Sequence, residues 1–143
     1  MKVRDVMSAP AVVLVSYASI RDVARHMDYN GVGCVVLLDG QRVVGIVTDR
    51  DLALRALAHG VDADLPVREV MTPEPVVTVR PGDDLDVAFQ TFRRHAFRRL
   101  PVLEEGVVVG MVSVDDLLLQ VHQVTADLLR PLASEINEPQ SSM

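Results

Sequence analysis

The sequence contains few aromatic residues and no tryptophan, although 49% of its 143 residues are hydrophobic. Aromatic residues make up only 3% of the chain. The core must therefore be built from aliphatic side chains, mainly valine, leucine, isoleucine and alanine. This hydrophobic content, together with 24% charged residues, is typical of a folded globular protein rather than a disordered one.

Cysteine is also scarce, since Cys34 is the only one in the chain. An internal disulfide and a CxxC metal or redox motif are therefore excluded, and we expect Cys34 to be an inert buried residue. The four histidines are scattered without the spacing of a metal site. The sequence also has no Ser-His-Asp or Cys-His set and no P-loop or GxGxxG motif, so we expect neither catalysis nor a required cofactor.

Long apolar runs and an excess of positive charge are both missing. No stretch approaches the roughly 18 apolar residues of a membrane span, and the early run at 11–15 is too short for a signal peptide. The net charge of −6 argues against nucleic acid and anionic membranes as partners. We therefore expect a cytoplasmic protein, with one basic exception in RRHAFRR at 93–99.

The chain contains an internal repeat. VRDVM at 3–7 returns as VREVM at 67–71, and GIVTDRDL at 45–52 returns as GMVSVDDL at 110–117. Between these motifs, apolar residues at helical spacing from Ile20 to Met27 are matched by those from Leu85 to Phe92. Each half is therefore expected to be one copy of the same structural unit.

Each copy has the pattern β-α-β-β-α. Short β-branched runs predict strands at 12–15, 34–38 and 42–47 in the first copy and at 76–79, 99–103 and 107–112 in the second. Helices are expected at 20–30, 49–59 and 114–124 and from Leu85 onward. The predicted repeats are 1–63 and 64–124, followed at 125–143 by a helical extension and a flexible tail, EPQSSM.

The predicted fold class is α/β (α+β), with the two repeats packed pseudo-twofold through their sheets. A unit of about 60 residues buries too little surface to be stable alone. Two copies packed together remedy this, and their symmetry leaves two equivalent clefts between them.

These motifs carry a family resemblance. The order V-x-x-V-M-[ST], an amphipathic helix, H-x-x-R-R-L-P-V and a closing G-x-[VI]-[ST]-x-x-D-L resembles the cystathionine β-synthase (CBS) domain. Two copies in tandem resemble a CBS pair, also called a Bateman module, over about Val3 to Val124. The resemblance implies a regulatory module that binds AMP, ADP, ATP or S-adenosylmethionine in the clefts.

The resemblance also implies roles for particular residues. The hydroxyl residue of the closing motif helps to hold phosphate, the aspartate three positions later binds the ribose hydroxyls, and aliphatic residues of the first strand line the adenine. Arginines before the Leu-Pro pair lie where related modules bind phosphate, and Arg50 is the substitute in the first copy. The implied nucleotide-binding residues are Thr48, Arg50, Asp51, Arg98, Arg99, Ser113, Asp116, Val12 and Val76.

The closing motif has a second interpretation, because Thr48-x-x-Asp51 also has the form of a helix capping box. Glutamate is the commoner acid in such a box, and aspartate reaches back less well because it is one methylene shorter. This difference slightly favours the ligand interpretation. The two roles are also compatible, since free N–H groups at a helix start bind phosphate as well.

The arginines have a second interpretation too. Arg98 and Arg99 are neighbours on a predicted strand, so their side chains are expected on opposite faces, with at most one in a given cleft. Both could instead be solvated and pair with acids such as Glu104. Because they share a repeat with Asp116, the cleft beside Asp116 is the first expected nucleotide site.

Two hypotheses follow. In the first, the chain senses an adenosyl nucleotide and acts by changing its association with a regulated partner. In the second, it is a ligand-free interaction module that forms a homodimer through its helices. The second would use the exposed faces of the helices at 21–30 and 117–124.

Overall fold

The computed structural model describes residues 1–137, with the side-chain surroundings of residues 1–133. The α/β (α+β) class with two repeats is confirmed. The strands are β1 (Val13–Val15), β2 (Cys34–Asp39), β3 (Arg42–Thr48), β4 (Thr72–Pro73), β5 (Arg99–Glu104) and β6 (Val107–Ser113). The α-helices are α1 (Ile20–Asn30), α2 (Asp49–Asp51), α3 (Leu85–Arg94) and α4 (Val114–Asn137).

The strands form two sheets. Four strands lie in the order β1-β2-β3-β4, where β1 and β2 are parallel and the other pairs antiparallel. Strands β5 and β6 form an antiparallel hairpin. Both hairpins contain a register shift at the equivalent place, between Leu37 and Leu38 and between Val102 and Leu103.

Helix α1 has the bounds that its apolar spacing predicts. Ser19 caps its start by accepting from the Asp22 N–H at 3.0 Å. Gly31 ends it in the left-handed conformation with φ 63°, which glycine adopts without strain. Its apolar face, including Val23 and Met27, is buried in the first core.

The prediction of a strand at 76–79 is wrong, because the structure has no strand there. Only Val79 pairs there, through an isolated parallel bridge to Val102. In the first repeat the Val36 N–H donates to the Val12 carbonyl, whereas the repeat-equivalent of Val36 is Pro101, which has no N–H to donate. The second parallel ladder therefore shrinks to a single bridge.

The two closing helices differ from the prediction in form and length. The segment 49–59 is helical throughout, but a π-helical stretch at Leu52–Ala56 and a 3₁₀ turn at Leu57–His59 follow the single turn of α2. Helix α4 does not end near Val124 but continues to Asn137. The predicted flexible tail at 138–143 lies outside the described residues.

Each repeat begins with a short opening segment, VRDVM at 3–7 or VREVM at 67–71. Each opening segment packs in the hydrophobic core of the other repeat. Val3 belongs to the core of the second repeat, while Val67 and Val70 belong to the core of the first. Lys2 fixes the N-terminal segment to the second repeat, because its Nζ lies 2.7 Å from Asp84 Oδ1. This hydrogen bond lowers the pKa of the Asp84 carboxyl below its usual value. Each core therefore contains side chains from both repeats.

Two methionines complete this exchange. A Cβ at Gly110 would lie 2.8 Å from Met7 Sδ, and one at Gly45 would collide with Met71 Sδ. The methionine that follows each opening segment thus packs on a glycine of the other repeat's hairpin. Among residues 1–137, no helix combines the length and hydropathy needed to cross a membrane.

Candidate functional site

Both closing motifs form complete capping boxes. Thr48 N donates to Asp51 Oδ2 at 3.0 Å and Asp51 N donates to Thr48 Oγ1 at 3.1 Å. Ser113 and Asp116 make the same pair of bonds at 2.9 and 3.0 Å. The capping interpretation is confirmed, and the expectation that aspartate reaches back poorly is wrong. Because Asp51 Oδ2 is occupied, Oδ1 is the carboxylate oxygen that remains for other contacts.

A cavity of about 340 Å³ lies beside Asp51, within the size range of small-molecule pockets. Residues of both repeats line it: Cys34, Ile46, Thr48, Arg50, Asp51, Arg55, Thr72, Pro75, Val76, Val77, Ala96, Phe97, Arg98, Arg99 and Pro101. It brings together six of the residues that the resemblance implies. The other three, Val12, Ser113 and Asp116, are not among its lining residues.

Both Arg98 and Arg99 line this cavity, so the expectation that at most one of them does is wrong. Strand β5 begins at Arg99, which leaves Arg98 outside the strand and free of its alternation. The arginines also lie beside Asp51, although they share a repeat with Asp116. Sequence position assigned them to the wrong aspartate because the cavity is formed across the two repeats.

Arg99 reaches the first repeat where Gly33 has no side chain. A Cβ at Gly33 would lie 2.9 Å from Arg99 Nη2 and 2.8 Å from Asp49 Oδ2. The space a methyl group would fill is therefore bordered by the guanidinium of one repeat and a carboxylate of the other. A side chain at this position would have to displace the ends of Arg99 and Asp49.

Nine of the fifteen lining residues are absent from the predicted site, and Arg55 and Phe97 are the most informative of them. Arg55 Nη1 donates to Thr72 Oγ1 at 3.1 Å, and its Nε lies 3.7 Å from Asp51 Oδ1. The i, i+4 spacing of Asp51 and Arg55 was a signal that could have found this contact. Phe97 is the only aromatic lining residue, and its ring is stacked on His95 with centroids 5.1 Å apart.

The four arginines of the cavity differ in how they are paired. Arg98 Nη2 lies 3.4 Å from Asp115 Oδ1, and both side chains are exposed. Among the side chains that the structure describes, Arg50 and Arg99 have no carboxylate within 4.0 Å. The expected pairing with Glu104 is not formed. Two guanidinium groups are therefore available to an anion.

Cys34 forms part of the cavity wall, and only 5% of it is exposed. Burial raises the pKa of its thiol to about 12, although the charge of Arg99 acts in the opposite direction. The thiol therefore stays neutral near pH 7. The expectation that Cys34 is buried is confirmed.

The repeat-equivalent positions around Asp116 are not basic. The four arginines are replaced there by neutral or acidic residues: Gly33 for Arg98, Cys34 for Arg99, Asp115 for Arg50 and Gln120 for Arg55. The two closing motifs therefore differ in charge at these four equivalent positions. Chemically, the cavity beside Asp51 offers a carboxylate oxygen, an apolar wall and cations to one ligand.

Comparison with known proteins identifies the family. The model of the CBS domain matches the chain twice, at residues 3–57 and 67–123. The CBS domain-containing protein YhcV of Bacillus subtilis is 35% identical over 115 residues, which is 80% of this chain and 81% of YhcV.

Two solved structures are similar over most of their length. The CBS domain protein PAE2072 from Pyrobaculum aerophilum, complexed with AMP, has a TM-score of 0.75 and 32% identity. The match covers 86% of this chain and 99% of that one. The CBS domain pair of protein MJ0100, in complex with 5′-methylthioadenosine and S-adenosyl-L-methionine, has a TM-score of 0.77 and 25% identity, covering 86% and 97%. With two family matches and the fold of a pair, the chain belongs to the CBS domain family as two CBS domains in tandem.

Proposed function

We propose that the chain is a regulatory module that binds an adenosyl compound in the cavity between Asp51 and Arg99. The observation that carries this proposal is the meeting of Thr48, Asp51, Arg98 and Arg99 in one cavity, although they come from two repeats. The bound ligands of PAE2072 and MJ0100 support the class, since AMP, 5′-methylthioadenosine and S-adenosylmethionine share the adenosyl group.

Each part of the ligand has a complementary group in this proposal. Asp51 Oδ1 accepts hydrogen bonds from the ribose hydroxyls, while Oδ2 stays bonded to Thr48 N. The base lies against the apolar wall that includes Ile46, Val76 and Val77, and the arginines hold phosphate. We assign regulation rather than catalysis, in line with the CBS domain family to which both repeats belong.

We further propose that each chain binds one ligand. Val12, Ser113 and Asp116 lie where the symmetry of the repeats would place a second site. The positions equivalent to the four arginines carry no cation there, and Arg50 is replaced by Asp115, whose carboxylate already pairs with Arg98. A phosphate in that cleft would have to compete with Asp115 for Arg98 and would be repelled by Asp116.

Thermal unfolding with AMP, ADP, ATP and S-adenosylmethionine tests the proposal. A ligand at 100 times its dissociation constant adds about 2.7 kcal/mol to the free energy of unfolding. For a chain of this size that corresponds to a rise in Tm on the order of 2–8 °C. Unchanged melting curves with all four compounds would exclude the adenosyl function.

A second candidate function is homodimerisation, which would also transmit a ligand signal to a regulated partner. Up to residue 133, helix α4 exposes seven large apolar side chains, a surface that marks an interaction site rather than a solvated helix. They are Leu118, Leu119, Val121, Val124, Leu128, Leu129 and Leu132. A second copy is the simplest occupant, because a twofold pairing covers the same face on both chains.

Sedimentation equilibrium of the wild-type chain and of Leu128→Glu tests this candidate. Leu128 is 70% exposed and belongs to neither core, so the substitution should leave the fold intact. We expect a wild-type dimer and a Leu128→Glu monomer. A monomeric wild-type chain would exclude homodimerisation and leave ligand binding unaffected.

A further inference from the structure

The cavity beside Asp51 is strongly basic for a protein whose net charge is −6. Its lining includes four arginines, Arg50, Arg55, Arg98 and Arg99, and one carboxylate, that of Asp51. The cavity therefore concentrates positive charge within a chain that is acidic as a whole. A site of this kind attracts one small anion and does not make the whole surface anion-binding.

The available positive charge exceeds what one phosphate group needs. Arg50 and Arg99 have no carboxylate partner among the described side chains, and each guanidinium can bind a phosphate through two parallel hydrogen bonds. Arg98 is held only by an exposed ion pair with Asp115, which is weak in water and easily exchanged for a ligand. Three arginines are thus free or nearly free to bind phosphate.

This charge separates the adenosyl ligands into classes. S-adenosylmethionine has a positive sulfonium where the nucleotides have phosphate, and although its amino-acid end carries a carboxylate it is a net cation, so the arginines favour it less than a nucleotide. AMP has a single phosphate with a charge of about −2, enough for one or two guanidinium groups. ADP and ATP carry further phosphates that can pair with the remaining arginines.

We infer that the cavity selects an adenosyl ligand with at least two phosphate groups, over AMP and over S-adenosylmethionine. The inference rests on the proposed function and narrows it to the nucleoside di- and triphosphates. The responsible residues are the unpaired Arg50 and Arg99, with Arg98 as the third contact. Asp51 remains available for the ribose that all these ligands share.

Isothermal titration calorimetry of the full chain with ADP, ATP, AMP and S-adenosylmethionine tests the inference. Each additional charge-assisted contact is expected to tighten binding about tenfold, so ADP should bind at least about tenfold more tightly than AMP. S-adenosylmethionine should bind more weakly than AMP. Because the arginines are solvent-exposed or partly so, the preference should shrink as salt is raised.

Arg50→Gln and Arg99→Gln should each weaken the binding of ADP more than the binding of AMP, so that most of the preference of ADP over AMP is lost. Arg50 is exposed and has no ion-pair partner, so its substitution does not endanger the fold if Arg99→Gln proves unstable. The matched control is Arg25→Gln, which makes the same charge change on α1, where Arg25 pairs only with Asp22 at 3.9 Å. It should retain the full preference.

Different outcomes would overturn the inferred preference for several phosphates and the proposed adenosyl binding itself. Equal affinities for ADP and AMP, or tightest binding of S-adenosylmethionine, would overturn the inference and leave an adenosyl site in place. Inorganic pyrophosphate binding as tightly as ADP would overturn it as well, because the nucleoside would then contribute nothing. The absence of binding by every adenosyl compound would overturn the proposed function itself.

Discussion

Two glycines make the contact between the repeats possible. Gly110 faces Met7, and an added Cβ would lie 2.8 Å both from Met7 Sδ and from the Ser8 carbonyl oxygen. The methionine can move, but the carbonyl belongs to the bridge between Ser8 and Met111 and cannot. We therefore expect Gly110→Ala to lower the free energy of unfolding by about 1–3 kcal/mol through overpacking.

Urea unfolding followed by circular dichroism measures this effect, with Gly82→Ala as the control. A Cβ at Gly82 meets nothing within 4 Å, and the backbone there is not left-handed. That variant should be as stable as the wild type or slightly more so, because alanine reduces the freedom of the unfolded chain. Equal stability of Gly110→Ala and the wild type would contradict the close contact.

The thiol of Cys34 should be almost unreactive in the folded protein. A pKa raised from 9.0 to about 12 lowers the thiolate fraction at pH 8 by about a thousandfold. Ellman's reagent should therefore label the native chain far more slowly than the urea-unfolded chain. Similar labelling rates in both states would contradict the burial of this thiol.

The same shift has a consequence for stability at high pH. Because the pKa of the Cys34 thiol is higher in the folded state, this thiol ionises between pH 9 and 12 only in the unfolded chain. The stability that the neutral thiol contributes is thus complete below pH 9 and is lost as the pH rises through this interval. Replacing Cys34 with alanine should flatten this part of the pH profile.

At the residue scale, the sequence predicted which residue types line the cavity better than it predicted which residues contact one another. The hydroxyl, the aspartate and the arginine pair all lie at a cleft, because their motif is local and repeats. Arg55 and Phe97 were missed, since nothing in a single strand or helix shows which side chains border a cavity formed by two repeats. Gly33 was undervalued for the same reason, because its neighbour Arg99 comes from the other repeat.

A capping box starts the closing helix in both repeats, but only the box of Thr48 and Asp51 is part of the proposed site. Asp51→Ala and Asp116→Ala each remove the hydrogen bond that the carboxylate accepts from the backbone, so both should lose about 1 kcal/mol of stability. Only Asp51→Ala should also abolish the rise in Tm caused by an adenosyl ligand. Asp116→Ala is therefore the control for the lost helix cap, although Asp51→Ala also removes the ion pair with Arg55 at 3.7 Å.

Differential scanning fluorimetry of both variants, with and without ligand, checks this prediction. Loss of the ligand effect in Asp116→Ala alone would place the site in the other cleft. If the ligand still raises the Tm of both variants, Asp51 serves only as a helix cap.

The predictable elements were those whose signals are local. Amphipathic spacing, Ser19 and Gly31 define α1, and the two hairpins follow from their β-branched runs. The expected strand at 76–79 failed because its ladder depends on a partner strand that contains Pro101. The signal was present, since proline interrupts strand pairing, but it lies about twenty-five residues away from the segment it affects.

The whole molecule is interlocked by the exchange of opening segments. Val3 is fully buried in the core of the second repeat and Val67 in that of the first. We expect Val3→Ala to cost about 2 kcal/mol and to destabilise both repeats together. The reason is that each core contains the opening segment of the other repeat, and loses it if that repeat unfolds.

Labelling of the Cys34 thiol in urea and circular dichroism show whether the two repeats unfold together. Cys34 belongs to the first repeat and is only 5% exposed, so the reactivity of its thiol reports on that half while circular dichroism reports on the whole chain. Both transitions should shift together to lower urea in Val3→Ala. A Cys34 transition that stays at the wild-type midpoint would show that the halves unfold independently.

At the scale of the whole molecule, the sequence predicted two similar units and the symmetry of their packing. It could not predict which cleft receives the arginines, because the exchange of segments and the path of Arg99 past Gly33 are tertiary features. Similarity between the repeats shows which positions are equivalent, whereas the burial of one repeat's side chains against the other decides the chemistry of each cleft.

A crystal structure grown with the adenosyl compound that raises the Tm most would test the central claim directly. We expect density for one ligand per chain, with its ribose against Asp51 and its phosphates beside Arg50 and Arg99. Density beside Asp116 instead, or in neither cleft at saturating ligand, would contradict the proposed site.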